Sequence, residues 1–377
     1  MNSPSGAPTP TNGVSAGWIA HIVEFAARER LFLVILTTAF VVAGATYQTP
    51  HIAMWIGFMF AAYSAIANDS IQTIGTFLAS NAQARWWVLW IFIAGIFLAT
   101  TYYSWHMYNG DVSYGRLQSR GFDEAPTEFS FLQIAAPLVL LTLTRMRMPV
   151  STTFLLLSCF ATQPEGIADM LGKSVTGYFV AFGVSITIWF VFSRIFDRIL
   201  QGEPGRFWRP LQWIASGALW SVWLQQDAAN IAVFLPRSLS VGEYALFAGT
   251  IVLGLGILLY LRGDRIQQVV TEKKNVVDVR AATILDIVYA SVLYYFKALN
   301  PVPMSTTWVF IGLLAGRELA MALTDKGEDR RSVGFTLRLI AKDVFYVTIG
   351  LVVSLLLAAA VNERTRDSLL GLVGLGG

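Results

Sequence analysis

Long apolar runs separated by short polar ones dominate the chain. The runs at 30–47, 86–108, 170–196, 243–261 and 335–361 hold almost no charge inside. Each is long enough to be read as a membrane helix, which needs roughly 18 residues or more. Two further runs, 52–80 and 207–236, are apolar at both ends and polar in the middle. The first carries Asn68, Asp69, Ser70, Gln72 and Thr73, and the second Gln225, Gln226, Asp227 and Asn230. A break near 67–70 is expected to divide the first run into two half-helices, and the second is read as interrupted in the same way. The pieces 129–144 and 151–162 flank a turn ending in Pro149, which suits a re-entrant hairpin. The pieces 281–299 and 305–323 form a second hairpin around Asn300, Pro301 and Pro303. Polar stretches at 109–129, 197–209, 262–280 and 324–332 read as loops.

The order of signals repeats. An acid-amide string comes first, then Pro149-Val150-Ser151-Thr152-Thr153; a second acid-amide string follows, then Pro303-Met304-Ser305-Thr306-Thr307. If a unit is span, interrupted span, span and hairpin, it crosses an odd number of times, so the second copy is inverted. Paired broken helices in inverted repeats point to a secondary transporter with a midplane site. The expected fold is an all-α integral membrane protein with two inverted-topology repeats, discontinuous helices and re-entrant helical hairpins. Residues 1–29 would be a disordered tail and surface helix. The first repeat would span 30–165 and the second, inverted one 166–323. A cytoplasmic loop, a final membrane helix and a tail would occupy 324–377.

Composition narrows the class. Of 377 residues, 55% are apolar and 14% charged, against about 25% charged in soluble proteins. The net charge of +3 gives no reason to expect nucleic acid, and the single cysteine excludes a disulfide within the chain. The Ser/Pro/Gly-rich start lacks the basic and apolar regions of a signal peptide. With the N-terminus inside, Lys and Arg fall about three to one on the cytoplasmic side, which supports that orientation. The expected location is the cell inner membrane, multi-pass.

A carboxylate at mid-membrane depth costs about 2.5–3.5 kcal/mol on insertion scales, so it is kept where it lines a polar cavity or meets a cation. Asp69 and Asp227, beside Asn68 and Gln226, supply oxygens suited to a hard cation such as sodium. Asn230 and Gln72 are further oxygen donors, in matching places. The Ser-Thr-Thr strings read differently. Pro stops one helix and Ser or Thr starts the next, where free N–H groups and partial positive charge suit an anion. Ser151, Thr152, Thr153, Ser305, Thr306 and Thr307 are therefore candidate anion ligands, though ordinary helix capping needs the same residues. Arg145, Arg147 and Lys297 lie near the hairpin turns and either approach the anion or snorkel. Asp286 and Asp343 suit structural or coupling roles. Arg317 and Glu318 fit a helix end, and His106 an interfacial position. No zinc spacing, nucleotide loop or nucleophile elbow marks an enzyme.

On these residues the chain resembles the inorganic phosphate transporter (PiT) family. Asn68-Asp69 through Gly75-Thr76 and Gln83-Ala84 follow that family's first motif. The stretch from Gly263-Asp264-Arg265 through Pro303-Met304-Ser305-Thr306-Thr307 and Gly312 follows its second half. The resemblance covers about 280 residues, roughly 52–330. It implies uptake of phosphate coupled to sodium or protons. Asp69, Asn68, Asp227 and Gln226 would then serve cation and anion, and the Ser-Thr-Thr hydroxyls would hold the anion. The family's second Asn-Asp is Gln226-Asp227 here, and its second Asn in the first motif is Gln72. The His after Ser-Thr-Thr is Phe154 in one half and Trp308 in the other. These changes keep sulfate, or another small oxyanion, open beside phosphate. They also motivate an alternative: an anion sensor or assembly protein that carries no flux. The implied partners are the anion, sodium or a proton, and the lipid bilayer, with a homodimer as an option.

Overall fold

The structure is a computed structural model that describes residues 29–146, 148–199, 202–261, 278–324 and 332–372; of 69–72, 194, 196–199 and 372 it describes the backbone alone. The expected tail and surface helix at 1–28, most of the 262–280 linker and most of the 324–332 loop lie outside these residues. The described chain is all helical. Its helices are α1 (Arg30–Thr46), α2 (Pro50–Ala65), α3 (Ile71–Ser80), α4 (Trp86–Met107), α5 (Phe131–Arg145) and α6 (Pro164–Ile199). Then come α7 (Trp208–Ala232), α8 (Val241–Tyr260), α9 (Val279–Leu299), α10 (Thr306–Thr324), α11 (Val333–Val361) and α12 (Glu363–Leu372). Among the described residues, seven helices are long and apolar enough to cross a membrane, whereas α1 and α5 fall short. The chain is a multi-pass membrane protein.

Local chemistry explains several boundaries. Pro50 stands at the first turn of α2, where a missing N–H costs nothing. Ser130 and Gln133 form a reciprocal capping box at the start of α5, and Ser240 and Glu243 do the same for α8. Asp278 caps α9 by accepting from the Arg280 N–H at 2.8 Å.

Three expectations need correction. The first polar run does not break into two half-helices. Ile66–Ser70 forms one π-helical turn joining α2 to α3, so the axis shifts without an unwound segment. The second run is not interrupted at all, because α7 is continuous through Gln225, Gln226 and Asp227. Side chains at Gln226, Asp227 and Asn230 find partners across the helix surface, so the backbone need not open to satisfy them. The two hairpins also differ. After Pro149 the chain makes only a π turn, Thr153–Leu157, and a 3-10 turn, Ser158–Phe160. After Pro303 it makes α10, whose 19 residues match the spanning length.

Close packing sets the second of these starts in place. α10 lies along α6, and α9 along α7. Gly312 and Gly316, four apart on α10, face α6 so closely that any Cβ would collide with the carbonyl oxygens of Tyr178 and Phe182. Small residues at this spacing let helix backbones touch, the main source of attraction where lipid removes the hydrophobic drive. Ser185 of α6 adds a hydrogen bond to the Leu313 carbonyl at 2.7 Å. α11 packs over the turns at 153–160 and against α10.

Candidate functional site

Asp227 is the centre of a buried cluster that joins both Ser-Thr-Thr strings. It is 3% exposed and projects from α7. The Thr306 hydroxyl donates to its Oδ2. The Asn230 amide donates to its Oδ1 at 2.7 Å, and the Thr153 hydroxyl reaches the same oxygen at 3.3 Å. Thr153 also reaches the Met304 carbonyl at 3.2 Å, one residue before the second string. A carboxylate buried this deeply must be met by donors, and here they come from three different segments.

Asn68 organises the adjoining half. Its amide donates to the Val150 carbonyl at 3.1 Å and the Thr152 hydroxyl at 3.3 Å, and its oxygen accepts from Thr144 at 3.3 Å. Successive residues Thr152 and Thr153 therefore turn to the two acid-amide strings, one each.

Ser151 and Ser305 behave as caps. The Ser151 hydroxyl accepts from the Phe154 N–H, and the Ser305 hydroxyl from the Trp308 N–H, both at 3.2 Å. The Ser305 N–H is held by Ser174 of α6 at 2.8 Å. For these two side chains the capping reading is what the structure shows. Thr307 is buried in the same turn as Thr306. The residues just after the strings, Phe154 and Trp308, touch each other, with ring centroids 5.5 Å apart. The two helix starts are thus neighbours.

Two acceptors remain unpaired. Gln226 donates its amide to the Leu293 carbonyl of α9 at 3.0 Å, but among the described residues its Oε1 has no hydrogen-bond partner, nor has Asn230 Oδ1. Both side chains are 1% exposed. A buried oxygen without a donor points to water or an ion. A cavity of about 20 Å³ touches Asp227 among apolar residues such as Ile66 and Trp223; neither Gln226 nor Asn230 lines it, and it is far too small for a tetrahedral oxyanion. The side chains of Asp69 and Gln72 lie outside the described residues, as does Arg147.

The remaining candidates separate. Arg145 pairs with Glu29 at 2.5 Å, away from Asp227. Arg317 pairs with Glu318 at 2.8 Å and lies over Trp189. Asp343 sits on α11. His106 stacks on Tyr102 at the end of α4. Asp286, 1% exposed, accepts from Thr76 at 2.8 Å and from Ser216. It therefore ties α3, α7 and α9 together, a junction its sequence neighbours do not announce.

Arg116 lies in the 109–129 stretch that the sequence marks as a polar loop, yet it is 2% exposed. Asp111 folds this loop by accepting from the N–H groups of Ser113 and Gly115, at 2.6 and 2.8 Å. Gly115, at φ +74°, then turns the chain inward. The guanidinium donates to the Gln225 carbonyl at 2.6 Å and to the Val302 and Pro301 carbonyls at 3.2 and 3.3 Å. Burial pushes it down to about 10 while the Asp227 charge pulls it up, so it stays charged at neutral pH. Lys173 reaches the same turn, donating to Val302 O at 2.7 Å and Asn300 Oδ1 at 2.8 Å. Two cations thus hold the loop before the second Ser-Thr-Thr string. Compared with protein-family models, curated proteins and solved structures, the chain matches none of them.

Proposed function

We propose that the protein is a secondary active transporter, a symporter that moves an inorganic oxyanion with sodium or a proton across the cell inner membrane. Phosphate is the first substrate to test and sulfate the second. The observation that carries the reading is the Asp227 cluster. One carboxylate takes hydroxyls from both Ser-Thr-Thr strings and lies beside an unpaired amide oxygen, Asn230 Oδ1. Carboxylate, amide and hydroxyl oxygens with a nearby carbonyl make a hard-cation site. The two adjacent chain turns at 152–153 and 306–307 would offer the anion backbone N–H groups beyond those that Ser151, Ser305 and Ser174 already take.

The mechanism follows from charge. With Asp227 ionised and alone, an approaching anion is repelled. A cation at Asp227, or a proton on it, removes that charge, while the Thr153 and Thr306 hydroxyls go on orienting the carboxylate. Binding of one ion then favours the other, which is coupling in the thermodynamic sense. The oxyanion needs more room than the present cavity provides, so the helix starts must separate during the cycle. A duplicated, inverted architecture would provide that rocking motion. The resemblance to the phosphate transporter family and the repeated order of motifs support it.

The test is uptake of labelled phosphate and of labelled sulfate into proteoliposomes, with and without an imposed sodium or proton gradient. Gradient-dependent accumulation of either anion supports the proposal; none with either gradient refutes it. The contact of Phe154 with Trp308 favours a second reading, an anion-binding protein without flux, because two apolar rings close the junction. Binding by calorimetry in protein that shows no uptake would select it.

A further inference from the structure

A second site lies at the mouth of the fold, apart from Asp227. A cavity of about 380 Å³ opens between the end of α4, the 108–118 loop, α7 and the end of α9. Tyr103, Tyr108, Tyr114, Ser221, Gln225 and Lys297 line it. This is within the size range of small-ligand clefts, about 300–1,000 Å³, and its wall is rich in hydroxyls.

Its one charged lining residue is Lys297. Lys297 is half-buried, with its ammonium 5.8 Å from the ring centres of Tyr114 and of Tyr294. Among the described residues no ion pair to Lys297 is formed. Gln225 forms the floor, and the other side of that residue, its carbonyl, carries the Arg116 guanidinium. Lys173 stands on the turn that Arg116 also holds. Three cations therefore stand near the end of α9; only Lys297 lines the cavity, while Arg116 and Lys173 are taken up by carbonyls and a carboxamide and Arg116 is also drawn to Asp227. A concave, low-dielectric wall of one sign concentrates the opposite charge. The Tyr114 hydroxyl is committed to the Thr100 carbonyl at 2.6 Å, which fixes the ring beneath Lys297.

We infer that this cavity is a peripheral oxyanion site for a phosphate-class group, held by the Lys297 ammonium with the Tyr103 and Tyr108 hydroxyls beside it. The site stands on its own residues and does not require the transport reading. A phosphate group can reach it from two sources, free inorganic phosphate or the headgroup of an anionic phospholipid, since Tyr103 and Tyr294 are more than half exposed at the same level.

The experiment uses the full chain in nanodiscs of phosphatidylcholine, with inorganic phosphate titrated by calorimetry. A parallel set contains phosphatidylglycerol, with bound lipid counted by native mass spectrometry. Both sets are run on Lys297→Gln, Lys297→Arg and the control Thr250→Val, whose hydroxyl bonds its own helix at Leu246. Loss of a charge-assisted bond should weaken ligand about tenfold or more in Lys297→Gln, with partial rescue in Lys297→Arg and unchanged binding in Thr250→Val. A drop confined to free phosphate assigns the inorganic source, and a drop confined to retained phosphatidylglycerol assigns the lipid; either supports the site. Equal phosphate affinity and equal lipid retention in wild type and Lys297→Gln overturn it. Failure of gradient-driven uptake, by contrast, leaves this result unaffected and bears on the transport reading alone.

Discussion

Replacing Thr306 by Val isolates the link between Asp227 and the second helix start. The change is nearly isosteric and removes one hydroxyl. That hydroxyl donates to Asp227 Oδ2 and accepts from the Trp223 indole N–H at 3.2 Å. A hydrogen bond to a charged group is worth about 1.5–3 kcal/mol, against about 0.5–1.5 kcal/mol between neutral groups. If Asp227 organises the ion site, Thr306→Val should weaken sodium-dependent phosphate binding roughly 10- to 150-fold. In an Asp227→Asn background the same bond is neutral, so the further loss should be smaller by about 1 kcal/mol, or roughly fivefold. The assay is calorimetric titration of phosphate with sodium present, on wild type, both single variants and the double variant. Thr250→Val is the control, because that hydroxyl bonds only its own helix at Leu246. Equal fold-losses from Thr306→Val in both backgrounds would refute the claim that Thr306 acts through the Asp227 charge.

Other perturbations test the supporting structure. Gly316→Val should reduce the yield of monodisperse protein in size-exclusion chromatography, since overpacking of this kind costs about 1–3 kcal/mol and the Phe182 carbonyl cannot retreat. Arg116→Gln should release the turn before α10: hydrogen exchange should rise at Val302 and Ser305 while α1 stays unchanged. Asp278→Ala removes the cap of α9 and should cost about 1 kcal/mol, read as a lower thermal midpoint. The hydrogen bond from Arg280 holds the Asp278 carboxyl below its ordinary value. Its stabilising effect is thus present above about pH 3.9 and is lost as pH falls through the lower folded-state value. The wild-type and Asp278→Ala midpoints should converge in acid.

Much of this fold is written in hydropathy. The runs that became α4, α8 and α11 are nearly uninterrupted, so length and lack of charge suffice. The polar strings are equally visible, but that Asp227 meets Thr153 and Thr306 is a contact only the fold reveals. What hydropathy hides is how a helix carries polar residues. Gln226, Asp227 and Asn230 are accommodated on faces of an intact α7, because Leu293, Thr153 and Thr306 on other segments answer them. Nothing local distinguishes that from a break. The π turn at Ile66–Ser70 is a tertiary compromise of the same kind. Arg116 was illegible for another reason: a basic residue in a mixed-charge loop looks solvated, and only Asp111 and Gly115 bending the loop bring it inside. The four-residue spacing of Gly312 and Gly316 is present in the chain, but it marks a helix contact only once α6 lies against it.

The most direct test of the account is gradient-driven uptake of labelled phosphate by proteoliposomes carrying wild-type or Asp227→Asn protein. The account requires that wild type accumulate the anion only when a cation gradient is imposed, and that Asp227→Asn lose this dependence. Full, gradient-coupled accumulation by Asp227→Asn would contradict it.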